Sequence, residues 1–419
     1  MSYAAPSSYA LGVAQSDIPA AMMPSMEPRV SSSGSHRIVS VASQNGTVTS
    51  GQPLSFQLPS NLGSGFMVSG SAYIKMNVTV TQANAFSWAF RQYGSGHSMF
   101  QRVSALLSGQ LAEQVENYNK LQSSLLLHAT NGSYVSGDDK MAQLTASGFQ
   151  TAATVTICVP VNIGCFNARQ HLPLFLLSSC QLQVQLDSAL QSFTSGSADP
   201  ITEFAVSSAS LIFEQLVPDA VYEQGVKQML ASRVYQIPIN TFYNLRLANT
   251  GSVTQNIGLN SSSVKGIFWN VVTKNGSRES GSFVSDTQTS AYLYLDGQLV
   301  SNSNLADPSE QFLEMNRALN VMTDITRTSW APGAVTANAV AADFSVALIT
   351  RALYSTGAYL GGLSTSRSAQ DGFSFSGSPV NQAVLQLVNA GTAGSTLYIY
   401  VALQQVLTID VASNVNLIR

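Results

Sequence analysis

Residues 154 to 187 read TVTICVPVNIGCFNARQHLPLFLLSSCQLQVQLD, and residues 371 to 410 read DGFSFSGSPVNQAVLQLVNAGTAGSTLYIYVALQQVLTID. Both stretches contain short apolar or alternating runs separated by loop residues, a pattern typical of strand, loop and strand. The first stretch falls near the end of one β-rich half of the chain, and the second stretch closes another. This doubled pattern predicts two β-sandwiches in one chain.

Length and composition favour two domains with an unusual surface. The 419 residues exceed the roughly 250 to 300 at which a single hydrophobic core stops growing. Charged residues make up 10% of the chain, and hydrophobic residues 45%. The polar surface is therefore mostly uncharged. Because the centres of protein interfaces are also depleted in charge, this composition predicts a surface largely covered by copies of the same chain.

Charge, hydropathy and cysteine content exclude several classes of protein. The net charge is -3, and the Lys and Arg residues are scattered, so the sequence predicts no basic surface that would bind nucleic acid or an anionic membrane. The N-terminus lacks the pattern of a secretory signal, and no run reaches the ~18 apolar residues of a membrane span. We therefore expect synthesis in the cytoplasm without membrane insertion. The three cysteines, an odd number, predict buried thiols and no disulfide framework: Cys158, Cys165 and Cys180.

Changes in sequence texture divide the chain into five parts. The first 50 residues are rich in Ala, Ser, Pro and Met with weak periodicity, which predicts an extended arm. Such an arm is either a loose tail or a segment ordered only against neighbouring subunits, and we favour the second. The predicted boundaries are 1–50 for the arm, 51–217 for the first roll, 218–233 for an interdomain connection, 234–412 for the second roll and 413–419 for a C-terminal tail.

The first half combines strands with one helix. Residues 73 to 80 nearly alternate between apolar and polar, which predicts a half-buried strand. Ser108-Gly109-Gln110 predicts a hairpin turn between two runs. The helical spacing of Tyr118 and Leu121 predicts a helix, with Asn117 as its N-cap.

The second half repeats this arrangement after a helical connection. An apolar stripe that includes Tyr222, Val226, Met229 and Leu230 predicts a helix between the halves. Asp296-Gly297 is a hairpin-type turn dipeptide.

One further helix has the clearest start signal in the chain. Asp307-Pro308-Ser309-Glu310 forms a capping box with proline at the first helical position. Residues 355 to 372, rich in Gly, Ala and Ser, predict a long loop.

Each half thus offers several short strands, turn signals and one helical excursion. This organisation predicts an all-β fold of two tandem antiparallel jelly rolls, each of about eight strands, with short helical insertions. The strand order remains open at this level.

Several segments resemble one viral protein family. One such segment resembles the end of the first roll in double jelly-roll major capsid proteins of tailless icosahedral viruses and bacteriophages. It runs from Val159-Pro160-Val161-Asn162 through Leu172-Pro173-Leu174 to the alternating run at 181–186. The hairpin and helix between Gly109 and Leu127 are also similar. In the second half, the segments that resemble strands of the second roll are 263–269, 292–297, 397–401 and 406–409.

The resemblance implies a structural function. Proteins of this family trimerise into pseudo-hexameric capsomers that assemble an icosahedral shell around the genome. It implies a virion location after synthesis in the host cytoplasm, and partners among neighbouring capsomers and penton or minor capsid proteins. The N-terminal arm would face the interior, which in many relatives is a lipid membrane. The excursion at 305–330 and the loop at 355–372 would form outer towers.

The residue patterns of the sequence predict no catalytic, metal or cofactor site. The four histidines have no Cys, Asp or Glu at ligand spacing, which favours structural or surface roles: His36, His97, His128 and His171. Residues 94 to 98 lack the glycine spacing of a nucleophile elbow, and Gly361-Gly362 lacks the Lys-Ser/Thr of a phosphate loop. Two acid pairs are better explained as exposed turn residues: Glu113 with Glu116, and Asp138 with Asp139. Core or interface positions are expected for Trp88, Trp269 and Trp330.

Two other function classes compete with that of a capsid subunit. A tandem jelly-roll protein that binds or hydrolyses glycans would carry a signal peptide, clustered acids and exposed aromatic residues. A phage spike or fibre would show a fixed-period repeat, which the sequence lacks. The sequence therefore favours self-assembly, with no enzymatic activity and no sequence-specific binding of nucleic acid.

Overall fold

The structure is a computed structural model of the whole chain. It describes residues 34–61, 63–81, 88–90, 96–129, 153–195, 201–230, 234–249, 251–258, 261–275, 278–284, 290–299, 307–320, 359–365, 378–380, 382–388 and 394–418. Predictions for the arm before residue 34 and for Asp138, Asp139 and Trp330 lie outside these ranges.

Within the described ranges the first roll contains thirteen strands, most of them short. They are β1 (Ser35–Ala42), β2 (Val48–Thr49), β3 (Pro53–Leu58), β4 (Phe66–Met67), β5 (Tyr73–Thr81), β6 (Trp88–Phe90), β7 (Phe100–Leu107), β8 (Gln110–Glu116), β9 (Thr154–Pro160), β10 (Leu172–Pro173), β11 (Cys180–Leu186), β12 (Phe193–Ser195) and β13 (Glu203–Val217). A seven-stranded sheet has the order β10-β4-β13-β5-β9, with β1 and β2 also paired to β13. A four-stranded sheet has the order β3-β11-β7-β8, and β6 pairs with β12.

The second roll repeats this plan with eleven strands in the described ranges. They are β14 (Tyr235–Ala248), β15 (Val253–Ile257), β16 (Ser261–Asn275), β17 (Arg278–Val284), β18 (Ser290–Leu295), β19 (Gln298–Leu299), β20 (Gly361–Ser364), β21 (Ser378–Val380), β22 (Ala383–Val388), β23 (Thr396–Ile409) and β24 (Val415–Ile418). Its seven-stranded sheet has the order β14-β23-β16-β17, with β20, β21 and β24 off this path. Its four-stranded sheet has the order β15-β22-β18-β19.

The strand orders show that the two rolls are equivalent. In the larger sheets β1-β13-β5-β9 corresponds to β14-β23-β16-β20, and in the smaller sheets β3-β11-β7-β8 corresponds to β15-β22-β18-β19. All of these pairings are antiparallel. The predicted fold class, an all-β double jelly roll with short helices, is therefore confirmed.

Both predicted hairpin turns are confirmed at equivalent places. Ser108 and Gly109, between β7 and β8, have φ values of 51° and 78°. Asp296 and Gly297, between β18 and β19, have φ values of 48° and 80°. Positive φ at both central residues defines the tight turn that matches the twist of paired strands, and Gly adopts it without steric cost.

Four α-helices lie in the described ranges: α1 (Tyr118–Ala129), α2 (Ala189–Ser192), α3 (Ala220–Met229) and α4 (Pro308–Asn320). Helices α1 and α4 each follow a hairpin, β7-β8 or β18-β19, so they are equivalent too. The predicted cap of α4 is confirmed, because the Asp307 carboxylate accepts a hydrogen bond from the Ser309 N–H at 2.7 Å. None of these helices is long and apolar enough to cross a membrane.

Helix α3 lies where the interdomain connection was expected, but its predicted apolar stripe is wrong in part. Tyr222 is half-exposed and contacts only the edge of the Phe66 ring, while Glu223 is fully buried. The Glu223 carboxylate accepts hydrogen bonds from the N–H groups of Gly63 and Gly65 at 2.7 and 2.9 Å. Hydrogen bonding to the backbone of the first roll is therefore what makes burial of this charge tolerable.

Three segments are more ordered than the sequence indicates. The end of the predicted arm forms β1, which pairs along its whole length with β13. The predicted C-terminal tail forms β24, which pairs with β23. The predicted loop at 355–372 contains β20, which pairs with β16. Strands β1 and β20 gain their backbone partners from strands that are distant in sequence, so local periodicity does not reveal them, whereas β24 pairs with the strand immediately before it across a short turn.

Gly361 and Gly362 owe their identity to packing. A Cβ atom on Gly361 would overlap the indole ring of Trp269, and one on Gly362 would meet Phe268. Trp269 is fully buried, and its indole N–H donates to the Tyr359 hydroxyl at 3.1 Å. The pair of glycines therefore lets β20 lie flat across two aromatic residues of β16.

We expect Gly361→Ala to lower the free energy of unfolding by about 1 to 3 kcal/mol or more, because the buried indole has no room to move. Gly258→Ala is the matched control, since nothing lies within 4 Å of a Cβ atom there. Urea denaturation of both variants measures the difference. Equal stability of the two would contradict the packing role.

Candidate functional site at the junction of the two rolls

Strand β23 is buried on both of its faces, which marks the place where the rolls meet. Its inward side chains, such as Leu397 and Ile399, lie in the core of the second roll. The alternate positions include Thr396, Tyr398 and Tyr400, which are also buried. Helix α1 of the first roll reaches this outer face, where Ser124 bonds to Tyr400, and β8 lies against the neighbouring strands β14 and β24.

An ion-pair cluster lies at the centre of this junction. Glu279, at the start of β17, pairs with Lys120 Nζ of α1 at 3.2 Å and with Arg246 Nη2 of β14 at 2.7 Å. The Tyr398 and Thr396 hydroxyls donate to the same carboxylate at 2.8 and 3.2 Å. The Lys120 and Glu279 side chains are only 3% and 2% exposed. A charge so fully removed from water is stable only with partners of this kind.

A second set of polar contacts extends the junction along α1. Asn270 Nδ2 of β16 donates to Ser124 Oγ at 2.6 Å, and the Tyr400 hydroxyl donates to Asn270 Oδ1 at 3.3 Å. The rings of Tyr398 and Tyr400 are stacked with centroids 6.4 Å apart. These hydrogen bonds fix the rotation of α1 relative to the sheet, because each donor has an acceptor in only one register.

A third contact joins the edges of the two sheets. Glu113 of β8 accepts hydrogen bonds from the N–H groups of Gly164 and Cys165 at 2.9 and 2.8 Å, and the Thr241 hydroxyl of β14 bonds to it as well. A Cβ atom on Gly164 would overlap the carbonyl of Asn240 in the second roll. The absence of a side chain at residue 164 thus permits the close approach of the two backbones.

The first roll holds α1 in place by contacts of its own. The Tyr118 hydroxyl accepts a hydrogen bond from the Asn162 N–H at 2.8 Å. Asn119 Nδ2 donates to the Asp187 carboxylate at 2.7 Å. Tyr118 and Leu121 are buried in the core of the first roll, so the opposite face of the helix presents Lys120 and Ser124 to the second roll.

The junction carboxylates differ in their acidity. Burial alone would raise the pKa of Glu279, but Lys120, Tyr398 and Arg246 outweigh burial and lower this pKa to about 2. Burial raises the pKa of Glu113, although its hydrogen bonds oppose the rise. Burial also raises the pKa of Asp187, against the opposing effects of the Ser188 N–H and Lys120. Glu279 is therefore the junction carboxylate whose ionised form its surroundings favour.

We expect Glu279→Gln to lower the free energy of unfolding by about 3 to 5 kcal/mol, since it leaves Lys120 buried without its ion-pair partner. The matched control is Glu116→Gln, which removes a half-exposed carboxylate 3.6 Å from Arg102 and should cost less than about 1 kcal/mol. Urea denaturation checks both values. A cost for Glu279→Gln no larger than for the control would contradict the role of the cluster.

The same variant gives a defined pH dependence. Because the folded-state pKa of Glu279 lies below its ordinary value of 4.5, the stability that it contributes is complete above about pH 4.5 and is lost as the pH falls towards 2. The stability difference between the unaltered protein and Glu279→Gln should therefore be constant from pH 7 to pH 5 and shrink in more acidic solution. His97 and Glu113 titrate in both proteins and do not set this difference. A difference independent of pH down to 2 would refute the assignment.

His36, His97 and His171 each make a local contact, and His128 is buried on α1. His97 is fully buried, its Nε2 lies 3.0 Å from the Pro160 carbonyl, and burial lowers its pKa to about 4. His171 accepts from the Ser69 N–H, and His36 lies 3.2 Å from the Glu214 carboxylate. Within the described ranges, no group of three or more His, Cys, Asp or Glu residues is placed to hold a metal ion.

The other candidate residues have mostly structural positions. Ser98, from the elbow-like segment, is buried and donates to the Ser192 carbonyl at 2.9 Å. Trp88 and Trp269 lie in the cores, as predicted. All three cysteines are free, and two of them, Cys165 and Cys180, are buried. Cys158 is half-buried.

Glu113 is the clear error among the predicted surface acids. The sequence places it in a turn, but it is buried at the junction, where it bonds to the backbone of its own roll and to Thr241. Its partners are about 50 and 130 positions away in sequence, so local pattern gives no indication of them.

Sequence reasoning also missed the junction itself. Lys120, Arg246 and Glu279 are widely spaced in the sequence, and Lys and Arg residues that occur singly give no local sign of a shared partner. One signal was present: Tyr398 and Tyr400 alternate with aliphatic residues. A strand that is apolar or aromatic on both faces indicates burial on both sides.

Comparison with solved structures identifies the fold. A chain of the PBCV-1 virus capsid has a TM-score of 0.62 and 15% identity, over 92% of this chain and 97% of that chain. A chain of the Sputnik virophage has a TM-score of 0.58 and 12% identity, over 91% and 88%. The Faustovirus major capsid protein has a TM-score of 0.57 and 8% identity, over 98% and 94%. No protein-family model and no curated protein matches the sequence.

These similarities cover nearly the whole length of each chain. The protein therefore has the double jelly-roll fold of these viral capsid chains.

Proposed function

We propose that this protein is the major structural subunit of an icosahedral viral shell. The observation that carries the proposal is the double jelly-roll fold over almost the entire chain, shared with chains of viral capsids. Fold likeness alone does not specify function. The charge-poor composition and the buried junction provide independent support, because a shell subunit must be rigid and must be covered by its neighbours.

The junction explains how one chain can act as a rigid subunit of a shell. The Glu279 cluster joins two rolls of equivalent fold and holds them in one orientation relative to each other. Three copies would then contribute six similar rolls to a near-hexagonal capsomer. Repetition of one interface under rotational symmetry is how such oligomers close. We therefore propose a homotrimer as the assembly unit.

The remaining parts of the proposal follow from this role. The protein would be located in the virion after synthesis in the host cytoplasm, in contact with neighbouring capsomers and with penton or minor capsid proteins. The N-terminal arm would face the interior and any lipid membrane that lies there. The function is structural, without enzymatic activity and without sequence-specific contacts to nucleic acid.

The alternative of a protein that binds or hydrolyses glycans has no specific support. Such a site needs acids grouped around exposed aromatic residues. In the described part of the chain, no group of three acids, histidines or cysteines forms, and the exposed aromatic residues Tyr222 and Tyr243 lie on separate elements, α3 and β14.

We expect the purified full-length chain to form trimers and larger shells at micromolar concentration. Native mass spectrometry measures the stoichiometry, and negative-stain imaging shows whether the particles contain pseudo-hexagonal units. Glu116→Gln, the control variant of the stability test, should assemble in the same way as the unaltered chain. A chain that stays monomeric at this concentration would refute the proposal, and a reproducible signal on a glycan array would favour the alternative.

A further inference from the structure

Helix α3 has one covered side and one exposed side. On the covered side, the buried Glu223 carboxylate bonds to the backbone of the first roll, and Leu230, just after the helix, is also buried. On the exposed side, Val221 and Tyr222 are 73% and 52% exposed. Because the hydrogen bonds of Glu223 fix the helix, this apolar side is formed before anything binds to it.

A glycine in the middle of α3 belongs to the exposed side. Gly225 follows Tyr222 by three residues and Val221 by four, and residues at these spacings are neighbours on a helix surface. Glycine inside a helix is less favourable than alanine by about fivefold in the folding equilibrium. In the described part of the chain, nothing beyond the backbone of α3 lies within 4 Å of a Cβ atom placed on Gly225. No contact within that part of the chain therefore accounts for this glycine.

Two other glycines show what such a position can serve. Gly164 admits a carbonyl group of the second roll, and Gly361 admits an indole ring, each at a place where a Cβ atom would overlap its neighbour. Gly225 likewise gives close access to its backbone, here at the surface beside two exposed apolar side chains. We call Val221, Tyr222 and Gly225 together the α3 patch.

The N-terminal arm joins the described structure close to the α3 patch. Gly34 is the first described residue, and a Cβ atom on it would lie 3.1 Å from the Val217 carbonyl oxygen and 3.4 Å from Pro218 Cα. Pro218 precedes Val221 by three residues, a separation of at most roughly 11 Å along the chain. The arm therefore starts within reach of the patch.

The nearest apolar segment of the arm is long enough to cover α3. Residues 18–30 read IPAAMMPSMEPRV, and three serines join them to Gly34. Methionine side chains are flexible and fill irregular apolar surfaces, and this segment contains Met22, Met23 and Met26. Val30 lies at most roughly 14 Å from Gly34, and the ten residues of α3 are about 15 Å long. The segment can therefore span the helix without strain.

We propose that residues 18–30 of the arm dock on the α3 patch of the same chain, with a methionine side chain against Gly225. A segment tethered by a short linker has an effective concentration of about millimolar, which favours the arm of the same chain over that of a neighbour. The composition of the arm alone favours ordering against neighbouring subunits, so docking on α3 assigns it a different partner. The contact would cover Val221 and Tyr222 and would attach the arm to the connection between the rolls.

Photo-crosslinking tests the location of the arm. Tyr222→benzoylphenylalanine places a photoreactive group in the patch, and the same change at Tyr243, an exposed residue of β14, is the matched control. After irradiation of the full-length chain, peptide mass spectrometry should show residue 222 joined to a peptide from residues 18–30, and no such product from residue 243. Absence of this product would overturn the docking.

A mixture of isotopically light and heavy chains identifies the source of the arm. Docking within one chain gives only light pairs and heavy pairs of crosslinked peptides. Pairs that join a light peptide to a heavy one would show docking between chains and would overturn the assignment to the same chain.

A stability measurement tests the role of Gly225. If nothing docks there, Gly225→Ala should favour folding by about fivefold, because alanine is the better helix former. If the arm docks, the added methyl group meets the arm, and we expect no such gain. The gain should appear only when the docking segment carries Met22→Ser, Met23→Ser and Met26→Ser. Urea denaturation compares the four chains, and an equal gain with and without the serines would overturn the docking.

The matched control alters the arm outside the docking segment. It replaces three other apolar residues: Tyr9→Ser, Leu11→Ser and Val13→Ser. In that chain Gly225→Ala should again give no gain. A gain there would show that residues 18–30 are not the segment that contacts Gly225.

The outcomes separate this inference from the proposed function. Both tests concern contacts within one chain, so they give their result whether or not the protein assembles. If the crosslink forms in a chain that stays monomeric, the docking stands and the shell function fails. If shells form and residue 222 gives no product with the arm, the shell function stands and the docking is wrong.

Discussion

Burial of the Glu279 carboxylate is the constraint on which the arrangement of the two rolls depends. A carboxylate removed from water needs cationic and hydroxyl partners in fixed positions. Three of these partners, Arg246, Tyr398 and Thr396, come from its own roll, but the fourth is Lys120 of the first roll. If the rolls separated or rotated, Lys120 and Glu279 would lose each other as ion-pair partners. A chain of two domains therefore behaves as one body.

The features that sequence predicts well are those set by neighbouring residues. The turns at Ser108-Gly109 and Asp296-Gly297 and the cap at Asp307 follow from local backbone chemistry. The junction does not, because Glu113, Lys120 and Glu279 gain their partners only when distant strands meet. The same reason explains why β1 and β20 went unrecognised, since each pairs with a strand far away in sequence. Strand β24 pairs with the adjacent strand β23, but it is only four residues long.

Comparison of the two rolls shows how a repeated fold acquires separate surfaces. Strand order, hairpin turns and the helix after the hairpin are all repeated. What differs is the chemistry of equivalent outer faces. The face around β23 carries tyrosines, asparagines and Glu279 and is covered within the chain, whereas the face around β13 is partly exposed. The two rolls thus share one fold but differ on their outer faces. The outer face of the second roll makes contacts within the chain, and that of the first roll is partly exposed.

The polar character of the junction also bears on how the chain folds as it leaves the ribosome. The first roll is complete before the strands that carry Arg246 and Glu279 are made. During that interval the side of α1 that later meets the second roll exposes Lys120 and Ser124 to water, and these side chains are polar. A half-made subunit with a hydrophilic docking face has little tendency to aggregate with other nascent chains. Because the side of α1 that joins the rolls is polar, it favours solubility of the nascent chain until the second roll has been synthesised.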